Sequence, residues 1–396
     1  MRLFLALALL FTAIQLFAQT KLTGSVTDAA SGEPIPYATV YLDGTSVGDV
    51  TAEDGSFAIN VYTARRPLTV VVSHLNYLNL TFPASDLSQP FAVKMKAVAN
   101  ALTSIEVEDV NQREKNLREF RRRLVGSDEW GAKAKIRNES VLVFSRDRKP
   151  QDADNKSGVA IEVVKKGQRQ SVSQRSTPGR ALNLKATTKG PLEIELPAVG
   201  YLLRMDLVEF VADYSNGHMR YLKTDYFTPL ENLTPKEEKR IAKNRVRAYF
   251  GSQMHFLRSL IRDSLNTNGY AIYEIVREDE RGNPVETNPI RLPDYVSLLP
   301  DGNFLLSGLE DKKLAILHYS DNFYYPRPSW KRGDVQPLQS RLYFAGPSRI
   351  YPDGTCADTN LVFSGDMANR KMGWWLPSDY TPTPRKRRKG KRATRR

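Results

Sequence analysis

Four histidines, one cysteine and a large population of carboxylates are the residues of this 396-residue chain that could carry out chemistry. His74, His218, His255 and His318 stand far apart, and no two have the spacing of a zinc-protease helix or a compact zinc module. A metal centre would need distant residues gathered by the fold. Cys356 has no CxxC partner and reads as a lone loop thiol, unable to form an internal disulfide. No G-x-S-x-G nucleophile elbow and no glycine loop ending in Lys-Ser/Thr occurs. A glycosidase needs only two carboxylates roughly 5 to 9 Å apart. Glu193, Glu195, Asp206 and Asp213 belong to a surface population from which sequence singles out no pair, so no residue is assigned as catalytic. No cofactor and no metal are expected. Asp43, Asp49, Glu53 and Asp54 lack the alternating acids and distal Glu of a calcium loop and read as turn residues.

Binding has better handles. Tyr319, Phe323, Tyr324, Tyr325 and Trp330 cluster in a Pro-rich stretch with Arg327, Lys331 and Arg332. Exposed aromatic planes stack on sugars or a partner's side chains, and the cations meet acidic groups. The simpler reading is a folded loop sealing a sheet edge. The second handle is the C-terminal stretch of nine cations: Arg385, Lys386, Arg387, Arg388, Lys389, Lys391, Arg392, Arg395 and Arg396. Like charges at this density, with nothing apolar among them, predict a disordered tail. Such a tail can contact anionic lipid or lipopolysaccharide phosphate at about 1 kcal/mol per charge, weakened by salt; the alternative is a solubilising tail without a partner. The formal net charge is +14, and setting aside these nine and Arg2 leaves +4, so the basicity is local.

The apolar run from Leu3 to Ala18, after the single charge of Arg2, reads as a secretory signal peptide (residues 1–18). The expected location is outside the cytoplasm, in the periplasm or an outer-membrane-associated envelope, which argues against a nucleic-acid partner. Beyond Ala18 no stretch approaches the length of a membrane-spanning helix.

The elements that must position these residues divide the chain. Alternation in Ala38–Leu42, Ser56–Val61 and Leu68–Val72 has the two-residue period of strands, punctuated by Asp43-Gly44 and Asp54-Gly55 turns. Residues 19–97 therefore read as a β-sandwich. Residues 98–284 read as α+β: a linking strand at 102–109, a helix at 111–125 with Leu117, Phe120 and Leu124 on its apolar side, and a sheet from 136 to 224 with a hairpin at Asn216-Gly217. Thr234-Pro235-Lys236-Glu237 then opens a long amphipathic helix. Its apolar face runs from Ile241 to Leu265, and Gly251-Ser252 could split it, with Ser252 capping the second part. Residues 285–380 read as a β-rich continuation with short elements, and 381–396 as the basic tail.

Gly24-Ser25-Val26-Thr27-Asp28, Gly32 to Val40 and Thr51 to Phe57 resemble the carboxypeptidase-regulatory-like (transthyretin-like) β-sandwich. That resemblance implies an accessory sandwich without a catalytic centre of its own, at the front of exported Bacteroidetes proteins. Asn244 to Ser252, with His255-Phe256-Leu257-Arg258-Ser259-Leu260, is similar to the uncharacterised segment that often follows this domain. The expected fold is thus multi-domain and mainly β: an N-terminal immunoglobulin/transthyretin-like sandwich followed by an α+β region with a long amphipathic helix. The expected function is a non-catalytic cell-envelope binding or scaffold module for a protein or glycan; the alternative is an exported glycan-processing hydrolase.

Overall fold

The computed structural model describes residues 20–61, 68–87, 89–98, 110–148, 162–165, 168–171, 181–215, 217, 219–319, 337–356 and 358–382. The signal segment, the linking strand at 102–109, His218, the aromatics Phe323, Tyr324, Tyr325 and Trp330, and all nine tail cations lie outside them. The fold is mainly β. Among the described residues no helix is long and apolar enough to cross a membrane.

Contacts divide the chain into two units. The first gathers residues from 1–102, 226–370 and 374–396; the second comprises 103–225 and 371–373. The division falls between Asp225 and Tyr226, inside the stretch that sequence patterning treats as one α+β segment.

In the first unit, the described residues of the N-terminal part form seven strands: β1 (Thr20–Asp28), β2 (Thr39–Leu42), β3 (Gly48–Val50), β4 (Ser56–Val61), β5 (Leu68–Ser73), β6 (Leu80–Ala84) and β7 (Phe91–Met95). They form a sheet in the order β4-β1-β7, with β1 and β7 parallel, and a sheet in the order β3-β2-β5-β6. Leu22 and Val26 of β1, Val40 and Leu42 of β2, Phe57, Ile59 and Val61 of β4 and Val70 and Val72 of β5 fill the core between them. Gly24 occupies an inward position of β1 because a Cβ there would lie 2.2 Å from the Phe91 carbonyl oxygen and 2.7 Å from the Phe57 ring. The Phe57 ring takes up the space a side chain at 24 would use.

Strand alternation predicts one buried and one wet face, and β2 departs from it. All four of its residues are buried. Tyr41 points away from the sandwich core and stacks on Tyr226, with centroids 5.1 Å apart and planes at 26°. The Phe227 amide donates to the Thr45 carbonyl at 3.0 Å. A segment near residue 380 closes the same side: the Ser378 amide donates to the Gly44 carbonyl at 2.7 Å, and the Asp379 carboxylate accepts from the Ser46 amide at 2.8 Å and its hydroxyl at 2.6 Å.

The second unit carries α1 (Val110–Phe120), β8 (Lys135–Ile136), β9 (Leu142–Ser145), β10 (Glu162–Lys165), β11 (Gln168–Ser171), β12 (Asn183–Thr188), β13 (Leu192–Leu196), β14 (Tyr201–Asp213) and the first part of β15 (Met219–Pro229). Its main sheet runs β8-β13-β14-β12-β9, with β15 on β14 as the Asn216-Gly217 signal predicts. The last turn of α1 widens into a π-turn over Arg121–Val125. Phe120 packs edge-on against Phe144 and Phe210, at 5.8 and 5.1 Å.

The remainder of the first unit holds α2 (Pro235–Tyr249), α3 (Gln253–Ile261), β16 (Tyr270–Glu278), β17 (Pro284–Pro289), β18 (Val296–Leu298), β19 (Phe304–Leu306), β20 (Lys313–His318), β21 (Leu338–Phe344), β22 (Ser348–Ile350), β23 (Leu361–Gly365) and α4 (Asp366–Asn369). Its five-stranded sheet runs β17-β16-β20-β21-β23, and β18-β19-β22 form a smaller one. Phe256, Leu257 and Leu260 of α3 pack with Ile272, Leu314, Ile316 and Leu342 of the larger sheet.

The single long helix is not what forms: α2 ends at Tyr249, and α3 begins after Gly251 and Ser252. Gly251 has φ +74°, and a Cβ there would meet His318 Nδ1 at 2.8 Å and the Leu338 side chain at 2.9 Å. Both left-handed backbone and lack of space demand glycine, and neither suits a continuous helix. Each helix has its own cap: Thr234 and Glu237 form a capping box, and the Ser252 hydroxyl accepts from the His255 amide at 3.1 Å.

Candidate functional site

The break between α2 and α3 gathers a buried polar and aromatic cluster in the first unit. His255 comes from the first turn of α3, His318 from the end of β20 and Tyr270 from the start of β16, and all three are buried. The two imidazoles, isolated in sequence, lie 5.6 Å apart between centroids, and Tyr270 stacks on His318 at 4.3 Å. The Gly251 amide donates to His255 Nδ1 at 3.2 Å, and the Tyr270 hydroxyl lies 2.8 Å from the same nitrogen. An amide can only donate, so Nδ1 carries the lone pair and the His255 proton sits on Nε2. His318 Nε2 faces the Asn268 carbonyl at 3.2 Å and must carry its ring's proton.

Both rings are held neutral. Burial pulls His255 down to about 3, helped by His318 and by the Arg370 and Arg258 cations. Burial and then Arg370 pull His318 down to about 4, against the Asn268 carbonyl. Burial also drives the Tyr270 phenol well above its ordinary value. A base this weak, enclosed and already hydrogen-bonded to its own chain, is poorly suited to taking a proton from a substrate.

Two arginines beside the rings fasten chain segments together. Arg258 of α3 is buried and forms no ion pair among the described residues. Its Nε donates to the Asp353 carbonyl at 2.8 Å, Nη1 to the Tyr380 carbonyl at 2.8 Å and Nη2 to the Ser378 carbonyl at 2.6 Å. The guanidinium also lies 5.4 Å from the Tyr249 ring centroid. Arg370 Nη1 donates to the Ala248 and Phe250 carbonyls at 3.0 and 2.7 Å, satisfying the C-terminal end of α2. Arg258 thus draws residues 378–380 onto α3, and those residues also hold the sandwich loop at Gly44 and Ser46.

A second polar gathering belongs to the other unit. Arg146 donates to Asn116 Oδ1, the Tyr214 hydroxyl and Glu119 Oε2 at 2.8, 2.6 and 2.8 Å, while Arg123 donates to Glu119 Oε1 at 2.7 Å. Burial raises the Glu119 carboxyl, but hydrogen bonds from Arg123, Tyr214 and Arg146 outweigh it and leave the group below its ordinary value. The network ties α1 and its π-turn to the residues that follow β9 and β14.

The other sequence candidates are dispersed. Glu193 and Glu195 alternate on β13 but pair with different arginines, Arg204 at 3.2 Å and Arg137 at 2.9 Å. Asp213 accepts from the Ser215 amide and hydroxyl, both at 2.7 Å, as a turn residue. Asp54 does the same for the Ser56 amide at 2.9 Å. Among the described residues, no group of three or more His, Cys, Asp or Glu is placed to hold a metal ion. Burial, then Asp358, pushes the Cys356 thiol up to about 12, which leaves it protonated and unreactive. Tyr319, the one described member of the aromatic stretch, is 46% exposed, and its amide donates to the Gly269 carbonyl at 2.7 Å. On the sandwich, Thr23, Gly24, Asp49, Phe57 and Phe91 line a shallow depression of about 620 Å³. The carboxylate in it, Asp49, accepts from the Ala58 amide at 3.0 Å.

Sequence reasoning passed over the His255–His318–Tyr270 cluster, because the strand that carries Tyr270 was itself unread. The available signal was the β-branched and aromatic run Tyr270 to Val276 between Gly269 and the Arg281-Gly282-Asn283 turn.

Residues 22–107 match the CarboxypepD_reg-like domain family. No curated protein matches the chain. One similar solved structure is an interface mutant of a type II cohesin–X-dockerin complex from Acetivibrio cellulolyticus, 18% identical over 25% of this chain and 72% of that one, with a TM-score of 0.18. Another is a Bacteroides fragilis protein described as membrane-associated and of unknown function, 10% identical over 87% of this chain and 96% of that one, with a TM-score of 0.17. Scores of this size establish no shared fold.

Proposed function

We propose that the protein is a non-catalytic binding or scaffold module of the cell envelope, exported by its N-terminal segment, with a protein or glycan as partner. The observation that supports this reading most is how the buried groups capable of chemistry are used. Arg258, Arg370, His255 and His318 are engaged with the chain's own carbonyls, amides and rings. A CarboxypepD_reg-like domain at 22–107 is in keeping with it. The contact surface we assign is the β6 side of the sandwich. There β6 is the last strand of its sheet, and Leu75, Leu78 and Leu80 are exposed, Leu75 to 90%. A sheet edge with apolar side chains beside it is a ready template for a partner. The tail cations serve as a tether to an anionic surface.

The test is crosslinking in intact cells followed by identification of the captured molecule. Recovery of one defined envelope protein or glycan by the wild type, and its loss in a Leu75→Glu/Leu78→Glu variant of unchanged thermal stability, supports the reading. Turnover of a glycan by purified protein, abolished by a single carboxylate substitution, overturns it.

A further inference from the structure

We propose that the exposed cationic side of α2 is a docking surface for a membrane bearing anionic phospholipid headgroups. Lys236, Lys239, Arg240 and Lys243 are all exposed. At 100° per residue they share an arc of roughly 100°, while Glu237 and Glu238 project elsewhere. Lys236, Lys239 and Lys243 have no ion-pair partner among the described residues. Glu237, the acid beside Arg240, has its carboxylate engaged by the Thr234 amide at 2.9 Å.

Of the four, only Lys236 lies in the first turn of the 15-residue helix, where the backbone dipole is positive and Glu237 and Glu238 answer it. Lys239, Arg240 and Lys243 continue from it as an exposed cationic row, whose charge an anionic plane laid along this side would neutralise. No aromatic side chain is interleaved with the four, as single-stranded nucleic acid would require, and three of the four are lysines, point charges suited to a diffuse anionic plane rather than to base edges.

The described chain ends close to the last turn of α2. Tyr380 is held by Arg258 and its ring packs on Tyr249, the last residue of α2, at 5.9 Å. The nine tail cations begin at Arg385, at most about 18 Å of extended chain further on. Tyr249 ends α2 whereas the four cations lie on its first nine residues, so deletion of 385–396 tests separately whether the tail adds to this surface. The proposal rests on the envelope reading only for its choice of lipid over other polyanions.

The experiment is co-sedimentation of the full chain with phosphatidylcholine vesicles containing or lacking phosphatidylglycerol, at low and high salt. The proteins compared are the wild type, Lys236→Gln/Lys239→Gln/Arg240→Gln/Lys243→Gln, a deletion of 385–396, and the charge-matched control Lys21→Gln/Lys94→Gln/Lys96→Gln/Lys135→Gln, whose four positions are also exposed. The expected result is salt-sensitive binding to anionic vesicles alone, lowered about tenfold or more by the α2 variant and less than threefold by the control. Equal loss in the α2 variant and the control, or no loss in either, overturns the α2 surface. Binding lost only on deletion of the tail leaves the tether standing and overturns the α2 surface. Preferential capture of a DNA oligonucleotide over anionic vesicles at the same salt overturns the lipid assignment.

Discussion

Arg258 shows how much one side chain can hold. Its fork reaches carbonyls from two separate stretches of chain, and removing it leaves those acceptors buried with nothing to replace water. Arg258→Ala is expected to cost about 1 to 3 kcal/mol for each acceptor left buried and unsatisfied, read as a lower urea midpoint. Arg258→Lys should recover only part of this, because an ammonium cannot span the same acceptors in one plane. Gly251→Ala combines positive φ with contacts under 3 Å and should cost about 2 kcal/mol or more in the same measurement. These residues were visible in the sequence as a Gly-Ser break and an arginine on an otherwise apolar helix. Their partners were not, since Asp353, Ser378 and Tyr380 lie 95 to 122 positions away and carry no local signal.

At the scale of elements, caps and turns were the most legible features because their chemistry is local. The capping box of α2, the Ser252 cap of α3 and the β14–β15 hairpin stand where Thr234, Ser252 and Gly217 place them. Thr234→Ala should lower stability by about 1 kcal/mol, and Ser252→Ala by about as much, both measurable as shifts in urea midpoint. The apolar period continues through Gly251 and leaves one long helix and a split at Gly251-Ser252 both open; the fold takes the split, exploiting that glycine's conformation to turn the chain. The β16–β17 hairpin went unread because β17, exposed along its length and bounded by Pro284 and Pro289, has no apolar period to find. The double burial of β2 could not be inferred either, since Tyr41 acquires its cover from Tyr226.

For the whole molecule, acid should be the weak side. His255 and His318 have folded-state values of about 3 and about 4, below the ordinary 6.5. Depressed histidines leave the folded chain with fewer bound protons than the unfolded chain. Their contribution is therefore complete above pH 6.5 and is lost as the pH falls from there toward 4 and then 3. Each ring adds a slope of about 1.4 kcal/mol per pH unit inside that window. Urea midpoints from pH 7.5 to 4.5 should fall in the wild type. The fall should be shallower in His318→Gln, which removes one titrating ring, whatever its effect at pH 7.5. Glu119, also held low, adds to the same trend further down the scale.

The link between Ser46 and Asp379 spans 333 residues, with an entire second unit encoded in between. At the usual 5 to 20 residues per second, a ribosome needs roughly 20 to 60 s to deliver the acidic clasp after its receptor loop has emerged. Until Asp379 is available the loop at Gly44 and Ser46 lacks its acidic partner, so closure of this side of the sandwich waits for the end of the chain.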